Sequence, residues 1–275
     1  MLDGFFCVKS FFAPVQISVL RQMKIIALQS GSSGNCIYVE SGGTRLLFDA
    51  GISGVCAQNR LSAFGIDIKS ADALFVTHDH FDHTSSVNTF HRKFKIPVWM
   101  TLRTCEAVRG KGIKVPGNVE HFCSNTRFQF KNLWIEAIST THDAADGVCF
   151  VVDDGRKRFG ICTDLGCVFP ALPQVLDSLD GVLLESNYDP EMLRNGFYTP
   201  WAKKRIQSSA GHLSNEESAH LLAEHGGRLE RVLLGHISNE NNTEELVMET
   251  HRKIIGQEFE CDLAHHFACS DLIEI

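Results

Sequence analysis

Four short apolar runs in this chain break off onto a histidine or an aspartate. ALFV runs into THDHFDH (Thr77–His83), LWIEAI into STTHDAAD with His142, FGIC into Thr163–Asp164, and RVLL into Gly235–His236. Runs of this length rich in leucine, isoleucine and valine are buried strands. A polar loop leaving such a strand is how a rigid scaffold presents side chains for chemistry. The strand ends, rather than the strand interiors, therefore carry whatever this chain does.

The densest of these ends contains H-x-H-x-D-H. His78 and His80 alternate along an extended loop, point the same way and can reach one metal ion, while Asp82 and His83 lie past the turn and can face a second. A surface histidine cluster is the competing interpretation, and it leaves unexplained why His142, Asp164 and His236 also sit at strand ends. The 13 histidines are well above an average share and direct attention to metal chemistry. An all-nitrogen-and-oxygen donor set suits Zn, Mn or Fe(II).

The remaining pattern sets the architecture. Strands are expected at 24–28, 36–40, 45–49, 73–77, 98–100, 132–138, 148–153, 158–163, 181–185 and 231–234, with a last pair within 258–262 and 267–274. Helices are expected at 55–64, 85–92, 101–108, 168–178, 201–208, 215–224 and 243–255. Ser214 and Glu217 fit a capping box at the start of the helix beginning at Asn215. Strands come in blocks with helices interspersed, which favours an α+β arrangement of two packed sheets flanked by helices over a strictly alternating fold.

Nothing in the composition marks a linker, so residues 23–275 read as one domain. Residues 1–22, before the strong strand pattern at Met23, read as a loosely packed or disordered extension. No run reaches the ~18 apolar residues of a membrane span. The 10 cysteines form no C-x-x-C pair and read as buried free thiols of a cytoplasmic protein. A net charge of −7 gives no bulk attraction to a polyanion, so any nucleic acid must be held by local basic groups and metal ions. No membrane partner and no oligomeric interface is read from the sequence.

From Met23 to its end, the chain resembles the metallo-β-lactamase superfamily, an αββα sandwich with metals at one edge, and carries its ligand motifs in order. By that resemblance His78, His80 and His142 hold one divalent metal, Asp82, His83 and His236 a second, and Asp164 bridges them. Asp49 in LLFDAG matches the aspartate that supports the ligand loop from behind. LQSGSSGNC, THDAAD, LLESNYD, KKRIQSSAGHLSNEE and LGHISNENN resemble the bacterial YycJ/WalJ-type exonucleases within that superfamily. This implies a metal-dependent phosphodiesterase acting on DNA, with RNA the other candidate polymer, and 5′-to-3′ polarity. An activated hydroxide between two metal ions is the nucleophile so implied.

The 22-residue step from His142 to Asp164 leaves no room for the long substrate arm of many tRNA 3′-processing relatives, and the 72-residue step from Asp164 to His236 none for a β-CASP insertion.

The chain also repeats a hexapeptide, GHLSNE at Gly211–Glu216 and GHISNE at Gly235–Glu240. In the second copy, His236 is a metal ligand by the resemblance. In the first, His212 matches the general acid of phosphodiester-cleaving relatives. Glu185 in GVLLESN matches the glutamate that orients that acid and is expected to raise its pKa. Asp82 and Asp164 complete the expected catalytic group. Candidate substrate contacts are Ser32, Ser33 and Asn35 in SGSSGN, which equally suits a tight strand connection, together with Asn187, Lys203, Lys204 and Arg205. The stretch of Tyr198, Trp201 and these three cations fits a DNA backbone, but also a solvated helix face. The alternative function is a small-molecule hydrolase: a cyclic phosphodiesterase, or a glyoxalase II-like thioesterase or lactonase.

Overall fold

The apolar runs are strands in the computed structural model, which describes residues 22–275. The extension expected at residues 1–22 lies outside the described residues, except for Gln22. In chain order the strands are β1 (Lys24–Gln29), β2 (Cys36–Ser41), β3 (Thr44–Phe48), β4 (Ala73–Phe75), β5 (Val98–Met100), β6 (Glu120–His121) and β7 (Thr126–Phe130). Then follow β8 (Leu133–Ser139), β9 (Val148–Asp153), β10 (Arg158–Cys162), β11 (Gly181–Glu185), β12 (Arg231–Gly235), β13 (Asp262–Leu263) and β14 (Ile273–Glu274). The helices are α1 (Gly54–Ala63), α2 (Phe81–Thr84), α3 (Val87–Phe94), α4 (Leu102–Gly110), α5 (Leu172–Asp177), α6 (Pro190–Asn195), α7 (Pro200–Ile206), α8 (Asn215–His225) and α9 (Glu244–Ile255).

The strands form two mixed sheets of seven, ordered β14-β1-β2-β3-β4-β5-β6 and β13-β12-β11-β10-β9-β8-β7. Alternation along the strands explains why both are covered on both faces. In β1, Ile25 and Ala27 enter the core between the sheets, whereas Ile26 and Leu28 face the layer formed by α1, α3 and α4. In β11, Leu183 faces the other sheet, and Val182 and Leu184 face α5, α8 and α9. Strands buried on both faces read as continuous hydrophobic runs, and here they build an αββα sandwich.

β3 to β6 run parallel, as do β10 to β13. The register Cys162↔Leu184↔Leu234 and Glu185↔Gly235 aligns the carboxyl ends of β10, β11 and β12. Parallel pairing of β3 with β4 does the same in the other sheet. Ligand sites of open α/β sheets lie beyond such carboxyl ends.

Some elements differ from expectation. β6 and β7 were not anticipated. β7 is an edge strand in which only Phe128 and Phe130 pack inward and its other residues face water, so its apolar signal is weak. The short helices α2 and α6 also escaped the periodicity. The helix expected at 168–178 begins at Leu172 instead, because Pro173 lacks the amide an interior position requires and is tolerated only in the first turn. Exposed Cys123 departs from the expectation of buried thiols, and the described cysteines are all free. Among the described residues, no helix is long and apolar enough to cross a membrane.

The middle of the inter-sheet core is aromatic. Phe75 in β4 lies 5.6 Å from the rings of Phe48 and Phe130, 5.7 Å from Trp99 and 5.9 Å from Phe150. We expect Phe75→Ala to cost about 3–5 kcal/mol in urea unfolding, because six neighbouring rings cannot collapse into the space.

A second prediction concerns His251 of α9, which is fully buried with Nδ1 2.8 Å from the carbonyl of Val247. Burial pushes its pKa down to about 4. The unfolded chain then binds the extra proton first, so this group withdraws stability as pH falls from the ordinary imidazole value toward 4. Unfolding free energy should lose roughly 3 kcal/mol from it across that window, and His251→Gln should flatten that part of the profile.

Candidate metal and catalytic centre

Three strand ends turn sharply. Asp49, Asp164 and His236, just past β3, β10 and β12, adopt left-handed backbone angles (φ 64°, 54° and 53°). Asp and His are among the few non-glycine residues that tolerate this region. Behind Asp49, the chain passes so close to the ligand loop that a Cβ on Gly51 would lie 1.5 Å from the carbonyl oxygen of Asp82.

Asp49 organises that loop. Its Oδ1 accepts the amide of Thr77 at 2.8 Å, and its Oδ2 lies 2.7 Å from Nδ1 of His83. The hydroxyl of Thr77 donates to Asp49 and lies 2.9 Å from Nδ1 of His78. These contacts occupy Nδ1 of His78 and His83, which leaves His78 Nε2 without a protein partner and turns His83 Nε2 toward Asn35 and Asp164. His142 Nδ1 is likewise held by the carbonyl of Gly211 at 2.7 Å, His236 Nδ1 faces Asn35 Oδ1 at 3.4 Å, and His80 Nε2 faces the carbonyl of Asp143 at 3.2 Å.

The other ring nitrogens converge. His80 Nδ1 and His142 Nε2 stand 3.2 Å apart. His83 Nε2 is 3.3 Å from Asp164 Oδ2, and His236 Nε2 is 3.2 Å from Asp164 Oδ1. His78 Nε2 and Asp164 Oδ2 are buried without a hydrogen-bond partner. Such a collection of acceptors is repulsive unless cations sit among them, so these residues fit divalent metal ions. The donors of His78, His80 and His142 form one compact group, and those of His78, His83 and Asp164 another. Asp82 stands at the margin, 3.5 Å from His83 Nε2.

The electrostatics agree. Burial drives the His78 pKa well below its ordinary value. Burial opposes the charged form of Asp164 too, but the His236 and His83 imidazoles hold its carboxyl well below the usual range. His83 goes the other way: despite burial, Asp49, Asp164 and Asp82 raise it strongly. A proton there takes the place a cation would occupy.

His212 and Glu185 form a further group with Asp164 and His236. The Nδ1 of His212 is 2.6 Å from Glu185 Oε1, and Glu185 Oε2 accepts the amide of Leu165 at 2.9 Å. Gly211 has no room for a side chain, since a Cβ would meet the Ile206 carbonyl oxygen at 2.0 Å, and it bridges to Gly166. The expected rise in the His212 pKa does not occur. Burial lowers it, while burial and then the charge of Asp164 push Glu185 up to about 7. Both partners are desolvated, so each is drawn toward its neutral form.

The candidate substrate residues divide. Asn35 and Asn187 are buried and committed to protein. Asn35 accepts the Gly31 amide at 2.8 Å and lies 2.9 Å from His83 Nε2, and Asn187 donates to the His236 carbonyl at 2.8 Å. Both therefore support the site from within the protein. Ser33 donates to the His266 carbonyl at 3.2 Å, at the rim, with Ser32 exposed beside it. Arg205 binds Asp143 at 2.5 and 2.8 Å, Lys203 donates to the Arg194 carbonyl, and Lys204 is exposed.

Asp143 and Asp79 were missed. Asp143 stands 3.5 Å from His142 Nε2. Asp79 anchors the ligand loop through Lys111 at 2.5 Å and the Ala145 amide. D-x-x-D and H-D-H spacing hinted at these aspartates, but only the fold supplies their partners.

Comparison with known proteins places this geometry among relatives. Residues 44–237 match the model of the beta-lactamase superfamily domain. The chain is 35% identical over 244 residues to exodeoxyribonuclease WalJ of Streptococcus pneumoniae, covering 87% of this chain and 90% of that protein. It is 31% identical over 243 residues to exodeoxyribonuclease YycJ of Bacillus anthracis, covering 85% and 92%. The metallo-beta-lactamase fold protein YhfI from Bacillus subtilis superposes with a TM-score of 0.68 at 15% identity, covering 93% and 100%, which is a likeness of fold.

Asp49→Asn keeps a residue that tolerates the left-handed backbone but removes the carboxylate from His83. Metal affinity, measured by chelator competition, should fall about 10–100-fold.

Proposed function

Because the chain belongs to the beta-lactamase superfamily and is a metal-dependent hydrolase, we propose that it is a nucleic-acid phosphodiesterase, a cytoplasmic 5′-to-3′ DNA exonuclease using two divalent cations. The observation that carries this reading is the 2.6 Å contact between His212 and Glu185, beside the candidate metal ligands. Hydrolysis of a phosphodiester must expel an alkoxide, and an alkoxide leaving group needs a proton donor. A thioester or lactone makes a weaker demand. The names of the two exodeoxyribonuclease relatives support the same substrate class.

In this reading, His78, His80 and His142 hold one cation, and Asp82, His83 and His236 the other, with Asp164 reaching both. When bound, the cations supply Lewis-acid stabilisation of phosphoryl charge and an activated water. The protein's own residues do the rest. Asp49, Thr77, Asn35 and the Gly211 carbonyl fix which nitrogen each histidine turns inward. The buried Glu185, held by the Leu165 amide, orients His212 through Nδ1 and leaves Nε2 to deliver a proton to the departing oxygen. Zn and Mn both suit the donors.

The test is incubation of metal-loaded protein with 5′-phosphorylated duplex DNA, single-stranded DNA, RNA, a chromogenic phosphodiester and a thioester. We expect release of nucleotides from DNA, and activity on the thioester alone would overturn the reading. His212→Ala should lower kcat on DNA about 10²–10⁴-fold while metal content, measured by atomic emission, stays at the wild-type level. Loss of metal from that variant would make His212 a ligand instead.

A further inference from the structure

Between Ser85 and Val119 the chain carries seven lysines and arginines against a single acid, Glu106, although its net charge is −7. The fold gathers this basic stretch beside the candidate centre. α3 follows the ligand loop through α2, and the turn after α4 comes back to the same loop, where Lys111 donates to the Asp79 carbonyl at 3.0 Å. Gly112, at a φ of 77° that favours glycine, makes that turn. Between α3 and the turn lies a groove of about 470 Å³, whose walls include Phe81, Ser85, Asn88, Thr89 and Lys114. Phe81 stands between His80 and Asp82 in the chain and is 70% exposed, so the groove opens directly off the metal-ligand loop.

The cations of this face differ in what they are free to do. Lys111 is neutralised by Asp79, Arg109 donates to the Pro116 carbonyl at 3.3 Å, and Lys93 reaches Gln58 at 3.4 Å. Those three brace the protein. The exposed side chains of Arg92, Lys95, Arg103 and Lys114 have no ion-pair or hydrogen-bond partner among the described residues. Lys114 lines the groove itself, and Arg92 lies one helical turn beyond Asn88 on the same face of α3. None of the residues lining the groove is acidic. A cleft lined by one sign of charge raises the local concentration of the opposite sign. The Asn88 amide and the Thr89 hydroxyl, which also have no side-chain partner there, add neutral donors of the kind that meet phosphate oxygens.

We propose that this groove holds the phosphate backbone of the nucleic acid beyond the scissile bond, with Lys114 and Arg92 as its cationic contacts and the Phe81 ring against the sugar nearest the centre. This rests on the nucleic-acid reading above and deepens it. A polymer substrate must leave the centre over one of its rims, and this rim carries positive charge that the protein itself does not neutralise. Backbone contacts carry no sequence information, which suits an enzyme that removes each nucleotide in turn.

The test is fluorescence anisotropy of metal-loaded full-length protein with a labelled phosphorothioate duplex, which resists hydrolysis, between about 50 and 200 mM salt. Arg92→Gln/Lys114→Gln should weaken binding about 10-fold at the low-salt end and reduce the slope of log affinity against log salt by about 2. Arg252→Gln/Lys253→Gln removes the same charge from α9 and should leave the slope at the wild-type value. An equal loss of slope in both double variants would overturn the groove, because the effect would then be one of net charge. So would an unchanged slope in Arg92→Gln/Lys114→Gln. The two readings fail separately. Salt-dependent binding that needs Arg92 and Lys114, with no DNA cleavage, sinks the exonuclease alone. DNA cleavage with an unmoved slope in the groove variant sinks the groove alone.

Discussion

Asp49 sits in a left-handed backbone conformation at the end of β3, with one oxygen on the Thr77 amide and the other on Nδ1 of His83. Through the Thr77 hydroxyl it also reaches Nδ1 of His78. This buried carboxylate fixes the rotation of two imidazoles and the path of the loop between them. The same principle repeats at the other histidines, where the Gly211 carbonyl, Asn35 and the Asp143 carbonyl each engage one ring nitrogen. The consequence is a pocket of acceptors facing one another, which is stable only with cations among them.

That pocket exists because the sandwich puts it there. Each sheet has an antiparallel half and a parallel half, and the carboxyl ends of β3, β4, β10, β11 and β12 carry Asp49, His78, Asp164, Glu185 and His236 in their following residues or final position. The aromatic packing around Phe75 holds the two sheets together directly behind β4, from which the ligand loop leaves. Rigidity at the core thus becomes precision at the rim.

The two near-identical hexapeptides show how far local sequence goes. In GHISNE, His236 has a positive φ and its Nε2 meets Asp164; in GHLSNE, the backbone of His212 is not left-handed and its Nδ1 turns to Glu185. Gly235 is pinned by Leu183 and Ser30, Gly211 by the Ile206 and Arg205 carbonyls. Hexapeptides that share five of six residues therefore acquire different backbones and different partners from what is packed behind them.

Periodic burial and the H-x-H-x-D-H spacing are local properties, so the layers, the strand blocks and the cluster of histidines and aspartates at strand ends were legible from residue order alone. The capping box at Ser214 and Glu217 was legible for the same reason. The hydrogen bonds that tie Asn35 and Asn187 into the site, and those by which Asp143 and Asp79 brace it, appear only once the chain is folded. So does the burial that depresses the His212 pKa where Glu185 was expected to raise it. Those outcomes depend on desolvation and on partners far along the chain, as with the 201-residue separation of Asn35 and His236. A side chain's identity is written in the sequence, but its dielectric surroundings and its hydrogen-bond partners are set only when distant segments pack together.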